Sequence, residues 1–173
     1  MEINFLQKKR AGSREAGFTL IEALVYISLL VVIMLLMVNT LLSFNDSYRK
    51  LGALRIAEHA GTDAMERMVR DIRAAASIDT ANSTLGSTPG VLALTNTGTT
   101  TKFYIQSGIL KVDVNGAYSG PLTVSGASVT SLTFTQLTSS STSAVKIDLT
   151  VTGTSGSVTK TKQYHSTVIM KGI

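Results

Sequence analysis

A chain of 173 residues and 18.3 kDa has room for one compact domain plus one long accessory element. Hydrophobic residues make up 44%, but they crowd into residues 18–44 while the second half is rich in Ser, Thr and Gly, so the average describes neither part. Of the formal charge of +5, Lys8, Lys9, Arg10 and Arg14 against Glu2 and Glu15 leave +2 on residues 1–17 and +3 on the remainder; that excess is too small to argue for nucleic acid by itself, and the absence of cysteine excludes a disulfide framework.

Residues 1–17 are polar and basic and end in Ala16-Gly17. Phe18-Thr19-Leu20-Ile21-Glu22-Ala23 follows at once, and no charged residue occurs from Ala23 to Val38. Glu22 is the single charge between Phe18 and Phe44. As a helix rising about 1.5 Å per residue, this stretch runs roughly 40 Å, enough to cross a hydrocarbon core of about 30 Å with some tilt. The cations immediately before it place the N-terminus in the cytoplasm and the remainder outside.

A secretory signal peptide would carry a shorter apolar stretch and a small-residue cleavage site after it. Asn39-Thr40-Leu41-Leu42 does not supply one. A plain signal anchor accounts for the hydrophobicity and the orientation but not for Glu22. A carboxylate in a membrane helix costs about 2.5–3.5 kcal/mol near the centre and less near the interface, and such residues usually mark function. Glu22 is therefore expected to have a partner.

Gly17-Phe18-Thr19-Leu20-Ile21-Glu22, set between a basic leader and an uninterrupted apolar helix, resembles the class III signal of bacterial type IV prepilins and type II secretion pseudopilins. The resemblance implies that prepilin peptidase cuts between Gly17 and Phe18, with Thr19, Leu20 and Ile21 in the recognition motif, and that Phe18 is then N-methylated. It also implies that Glu22 meets the N-terminal ammonium of a neighbouring subunit as a filament grows. Glycine suits a cut site because it has no side chain to obstruct the cleft. A carboxylate near a helix N-terminus is favoured by the macrodipole. Pairing it with an ammonium in apolar surroundings relieves both charges, which would make Glu22 a register device between subunits. The proline that major pilins carry near what is Asn39 here is missing, as is usual for minor pilins and many pseudopilins.

From Asp46 to Ala76 the pattern turns amphipathic, with Leu51, Leu54, Gly61, Met65, Met68, Val69 and Ile72 predicted as a buried stripe. Glu66 and Arg70 are spaced as an i,i+4 ion pair, and Arg67, Arg70 and Arg73 read as a solvated face. Asn82 to Gly90 reads as a turn-rich loop. Strands are predicted at Val91–Thr95, Lys102–Gln106, Ile109–Val114, a segment opening at Pro121-Leu122, Val129–Leu137, Ala144–Thr152 and Val158–Val168, the middle pair the longest. Asn115-Gly116 marks a hairpin turn. Val145, Ile147, Leu149 and Val151 alternate with Lys146, Asp148 and Thr150, so one face is buried and one wet. Lys160 and Lys162 suit an edge strand.

The expected fold is α+β and pilin-like: a long N-terminal helix, transmembrane in its first half and amphipathic in its second, packed on one C-terminal antiparallel sheet. The segments are a leader at 1–17, a membrane helix at 18–44, its amphipathic continuation at 45–78 and a β-rich head at 79–173. Residues 65–73 (MERMVRDIR), Ser107-Gly108-Ile109-Leu110, Pro121-Leu122 and residues 129–134 (VTSLTF) are similar to minor pseudopilins of the J type and W-type minor pilins. That resemblance implies a minor subunit that initiates or caps a type IV pilus, pseudopilus or competence filament. Its partners would be other pilins or pseudopilins by helix packing, an inner-membrane platform protein and an assembly ATPase. A major pilin would usually carry a C-terminal disulfide loop, which this chain cannot form.

No enzyme site, cofactor or metal site is expected. His59 and His165 have no partner at metal-ligand spacing, and Asp79, Asp113 and Asp148 are the only acids after Ile78. The hydroxyls of the second half have no base to activate them. A different class of function, DNA capture, would use Lys102, Lys111, Lys146, Lys160 and Lys162 and show steep salt dependence.

Overall fold

The computed structural model describes residues 17–139 and 143–171. The basic leader, residues 1–16, lies outside them. The chain divides into two compact units, Met1–Ser43 and Phe44–Ile173. One helix, α1, spans Leu20–Ala74, and no proline or glycine falls in it before Gly52.

In the first unit, α1 is apolar on every face and its large side chains point outward, with Leu24 60%, Met34 62% and Leu41 69% exposed. The helix contains a window of mean hydropathy 2.7 and is long and apolar enough to cross a membrane. A helix hydrophobic all round requires lipid or other apolar helices around it rather than water. The hydroxyls within it are satisfied locally: Ser28 donates to the Val25 carbonyl at 2.8 Å and Thr40 to the Leu36 carbonyl at 2.8 Å. That is the arrangement a bilayer demands of polar groups.

In the second unit, α1 from residue 44 to Ala74 is followed, among the described residues, by eight strands: β1 (Ser77–Ile78), β2 (Leu92–Asn96), β3 (Thr99–Gln106), β4 (Ile109–Val114), β5 (Ala117–Pro121), β6 (Ala127–Thr138), β7 (Ser143–Ser155) and β8 (Val158–Ile169). The α+β class and the antiparallel pairing agree with expectation, but the single sheet does not. There are two: a five-stranded meander β1-β2-β3-β4-β5 and a three-stranded meander β6-β7-β8. They are tied where the Val129 N–H donates to the Gly108 carbonyl at 2.7 Å, and they share one core. Phe103, Leu110 and Leu92 enter it from the larger sheet, Phe134, Ile147 and Leu149 from the smaller, and Met68 and Ile72 from the helix.

Several boundaries shift. The helix ends at Ala74, and Ser77–Ile78 is a short strand rather than helix. Pro121 closes β5 instead of opening a segment. β8 has 12 residues, as many as β6, so the longest pair is in fact three strands of similar length. The Asn115-Gly116 turn stands, with φ of 52° and 77° at the two positions, the left-handed pair that a tight hairpin needs. Residues 82–90 form the expected loop, and it covers the outer edge of β6: the N–H groups of Gly86 and Gly90 both donate at 2.7 Å, to the Phe134 and Leu132 carbonyls.

The helix stripe also needs correction. Gly61, Met65, Met68 and Ile72 are buried as predicted, but Leu51 and Leu54 are not, at 54% and 36% exposed. Ala53, Ala57, Ala60 and Ala64 take the buried positions. The reason lies on β7, where a Cβ added at Gly153 would overlap the Ala53 carbonyl and the Ala57 nitrogen. Backbone meets backbone there, which only small residues permit. The i,i+4 pair is likewise offset by one residue, from Glu66–Arg70 to Arg67–Asp71 at 2.8 Å.

Candidate functional site

The candidate site is the start of α1. Thr19 stands immediately before the first helical residue, and its hydroxyl accepts a hydrogen bond from the Glu22 N–H at 3.3 Å. Its carbonyl accepts the first helical bond, from the Ala23 N–H at 3.1 Å. Thr19 is thus the N-cap and Glu22 the third helical residue, the spacing of a capping box. The Thr-x-x-Glu signal that reveals this was legible in the sequence, where only the carboxylate's position near the dipole was read from it.

Glu22 is exposed, and one of its oxygens accepts the Tyr26 hydroxyl at 3.2 Å. Tyr26 in turn meets Phe18, ring centroids 5.5 Å apart and tilted by 52°. Glu22 and Tyr26 are spaced by four on α1 and so share one stripe of the helix, and Phe18, which precedes the helix, reaches that stripe through its ring contact with Tyr26. Tyr26 was not singled out from the sequence because in an apolar run it reads as one more hydrophobic side chain. Among the described residues, nothing lies within 4 Å of the position a side chain at Gly17 would take. Leu20 and Ile21 are 84% and 71% exposed.

Residues 12–38 match the family model described as the prokaryotic N-terminal methylation motif. Its N-terminal segment is prepilin-like. No curated protein and no solved structure gives a match to it. The prepilin-like segment contains Gly17, Phe18, Thr19, Leu20, Ile21, Glu22 and Tyr26, and ends at Val38 inside the apolar run. The motif and the apolar helix together are consistent with a membrane anchor.

The head carries a second polar cluster that sequence separation had hidden. The register of β7 on β8 sets Asp148 opposite His165, and the His165 Nδ1 lies 2.6 Å from an Asp148 oxygen. Lys146 reaches the other oxygen at 3.1 Å. The hydrogen bond from His165, helped by Lys146 and opposed by partial burial, holds the Asp148 carboxyl below the usual carboxylate range. His59 is exposed on α1, well separated in chain order from this cluster.

The five lysines considered for DNA capture are divided between the sheets. Lys102 and Lys111 lie on β3 and β4, Lys146 on β7, and Lys160 and Lys162 on β8. Lys162 is paired with Glu58 of α1, Lys146 with Asp148, and Lys111 bonds Gln106 and stands 5.1 Å from the centre of the Tyr118 ring.

Proposed function

We propose that the chain is a structural minor pilin or pseudopilin: anchored in the inner membrane with its head outside the cytoplasm, cut after Gly17 by prepilin peptidase, N-methylated at Phe18, and lifted by a platform protein and an assembly ATPase into a type IV pilus, type II secretion pseudopilus or competence filament. The observation that carries the reading is the methylation motif at the start of an apolar helix whose large hydrophobic side chains are exposed among the described residues. Cleavage before that helix removes the leader and retains the anchor. Packing against equivalent helices of other subunits then replaces lipid around it. Glu22 would supply the register, because its carboxylate is satisfied in that apolar packing only where a neighbour's N-terminal ammonium is alongside.

The test is the mass and N-terminal sequence of the protein recovered from membranes of a producing cell. A mature chain that begins at a methylated Phe18 is expected. An unprocessed N-terminus, or a cut on the far side of the apolar run, would overturn the reading.

A further inference from the structure

The Tyr26 hydroxyl is 3.2 Å from one oxygen of Glu22, and its ring is held by Phe18 at 5.5 Å. Neither contact is required to build the helix, whose backbone bonds are made without them. From this geometry we infer that Tyr26 is a positioning residue for Glu22: it holds the carboxylate in one rotamer and satisfies one oxygen, leaving the other to receive the cation of a neighbouring subunit. The inference rests on the assembly role proposed for Glu22.

Three physical points support it. A carboxylate has about four acceptor sites on its two oxygens, so a phenol and an ammonium can be bound together. Hydrogen bonds to an ionised acceptor are stronger than neutral ones, and the advantage grows where water is excluded. A glutamate side chain loses substantial rotamer freedom when fixed, so a group that fixes it in advance lowers the entropic cost of the later encounter. The Phe18 ring contributes by restricting Tyr26. It also brings the first residue of the proposed mature chain against the same tyrosine that bonds the carboxylate.

The experiment compares Y26F, which keeps the ring and loses the donor, with Y26Q, which keeps a donor four residues from Glu22 and loses the ring. The readout is the ratio of filament-associated to membrane-resident processed subunit, which corrects for insertion and turnover. Y26F should lower the ratio about tenfold, the scale of a hydrogen bond to a charged group, and Y26Q should lower it less. Y26F equal to the parent chain, or no better retained donor effect in Y26Q than in Y26F, overturns the inference. A Glu22→Ala control separates the two ideas. If E22A assembles normally, the assembly role itself fails; if E22A is defective while Y26F assembles normally, only the role of Tyr26 fails.

Discussion

The Tyr164 ring on β8 fills the space that any side chain at Gly61 of α1 would need. Its hydroxyl donates toward the Ala57 and Glu58 carbonyls, both at 3.3 Å, so one aromatic side chain locks the helix to the smaller sheet by shape and by polar contact.

Gly61→Val is therefore expected to overpack this joint. Such insertions cost about 1–3 kcal/mol, and the head of the detergent-solubilised chain should melt several degrees lower. Tyr164→Phe should cost only about 1 kcal/mol, since the ring remains and the hydroxyl is lost. Equal effects of the two substitutions would show that the glycine is not there for fit.

Two residues distinguish the observed helix stripe from the one predicted. Met68 is fully buried, and Met68→Ala should destabilise the head by about 2–5 kcal/mol. Leu51 is 54% exposed, and Leu51→Ala should stay within about 0.5 kcal/mol. Denaturant unfolding of both variants measures the contrast, and a large loss at Leu51 would restore the predicted stripe.

The pH dependence has a definite sign at each end. Asp148 and Asp79 have folded pKa values below their ordinary ones, through the hydrogen bonds from His165 and from the Asn82 side chain respectively. Their contribution is complete above the unfolded carboxylate value of about 3.9 and is lost as pH falls through the lower folded values. Lys162 is raised by its hydrogen bond to Glu58, so its contribution is complete below the unfolded value of about 10.4 and is lost as pH rises through the folded one. Thermal scans should show these groups silent near neutrality. Asp148→Asn should flatten the acid limb and leave the alkaline limb unchanged.

Cleavage and assembly should separate genetically. Glu22→Ala is expected to leave processing after Gly17 largely intact and to reduce incorporation into filaments, while Gly17→Leu should block processing. Immunoblots of membrane and filament fractions read both steps. Normal assembly of the Glu22→Ala subunit would remove its pairing role.

How far the sequence could be read followed from how local each feature was. The apolar run, the glutamate within it, the Asn115-Gly116 turn and the alternation of β7 depend on neighbouring residues and were legible. The alanine stripe was not, because Ala53 and Ala57 are chosen by Gly153, about a hundred residues away in the chain. Leucines at the same period score higher on any hydrophobic pattern, although they do not fit there. Division into two sheets was hidden for a similar reason: β5 and β6 look like successive strands of one meander, and only the partner of each strand shows the break. The His165–Asp148 contact likewise depends on hairpin register. At the site, the motif fixed Gly17 to Glu22, whereas Tyr26 needed coordinates to be separated from the apolar residues around it.

In both sheets every strand lies beside its predecessor in the chain. A polypeptide delivered N-terminus first can thus complete each ladder as the next strand emerges, without waiting for a distant segment to return. Loop-closure entropy stays small when partners are sequence neighbours. With no cysteine to oxidise, the head can mature without a thiol oxidase or disulfide isomerase, including in a compartment that lacks both.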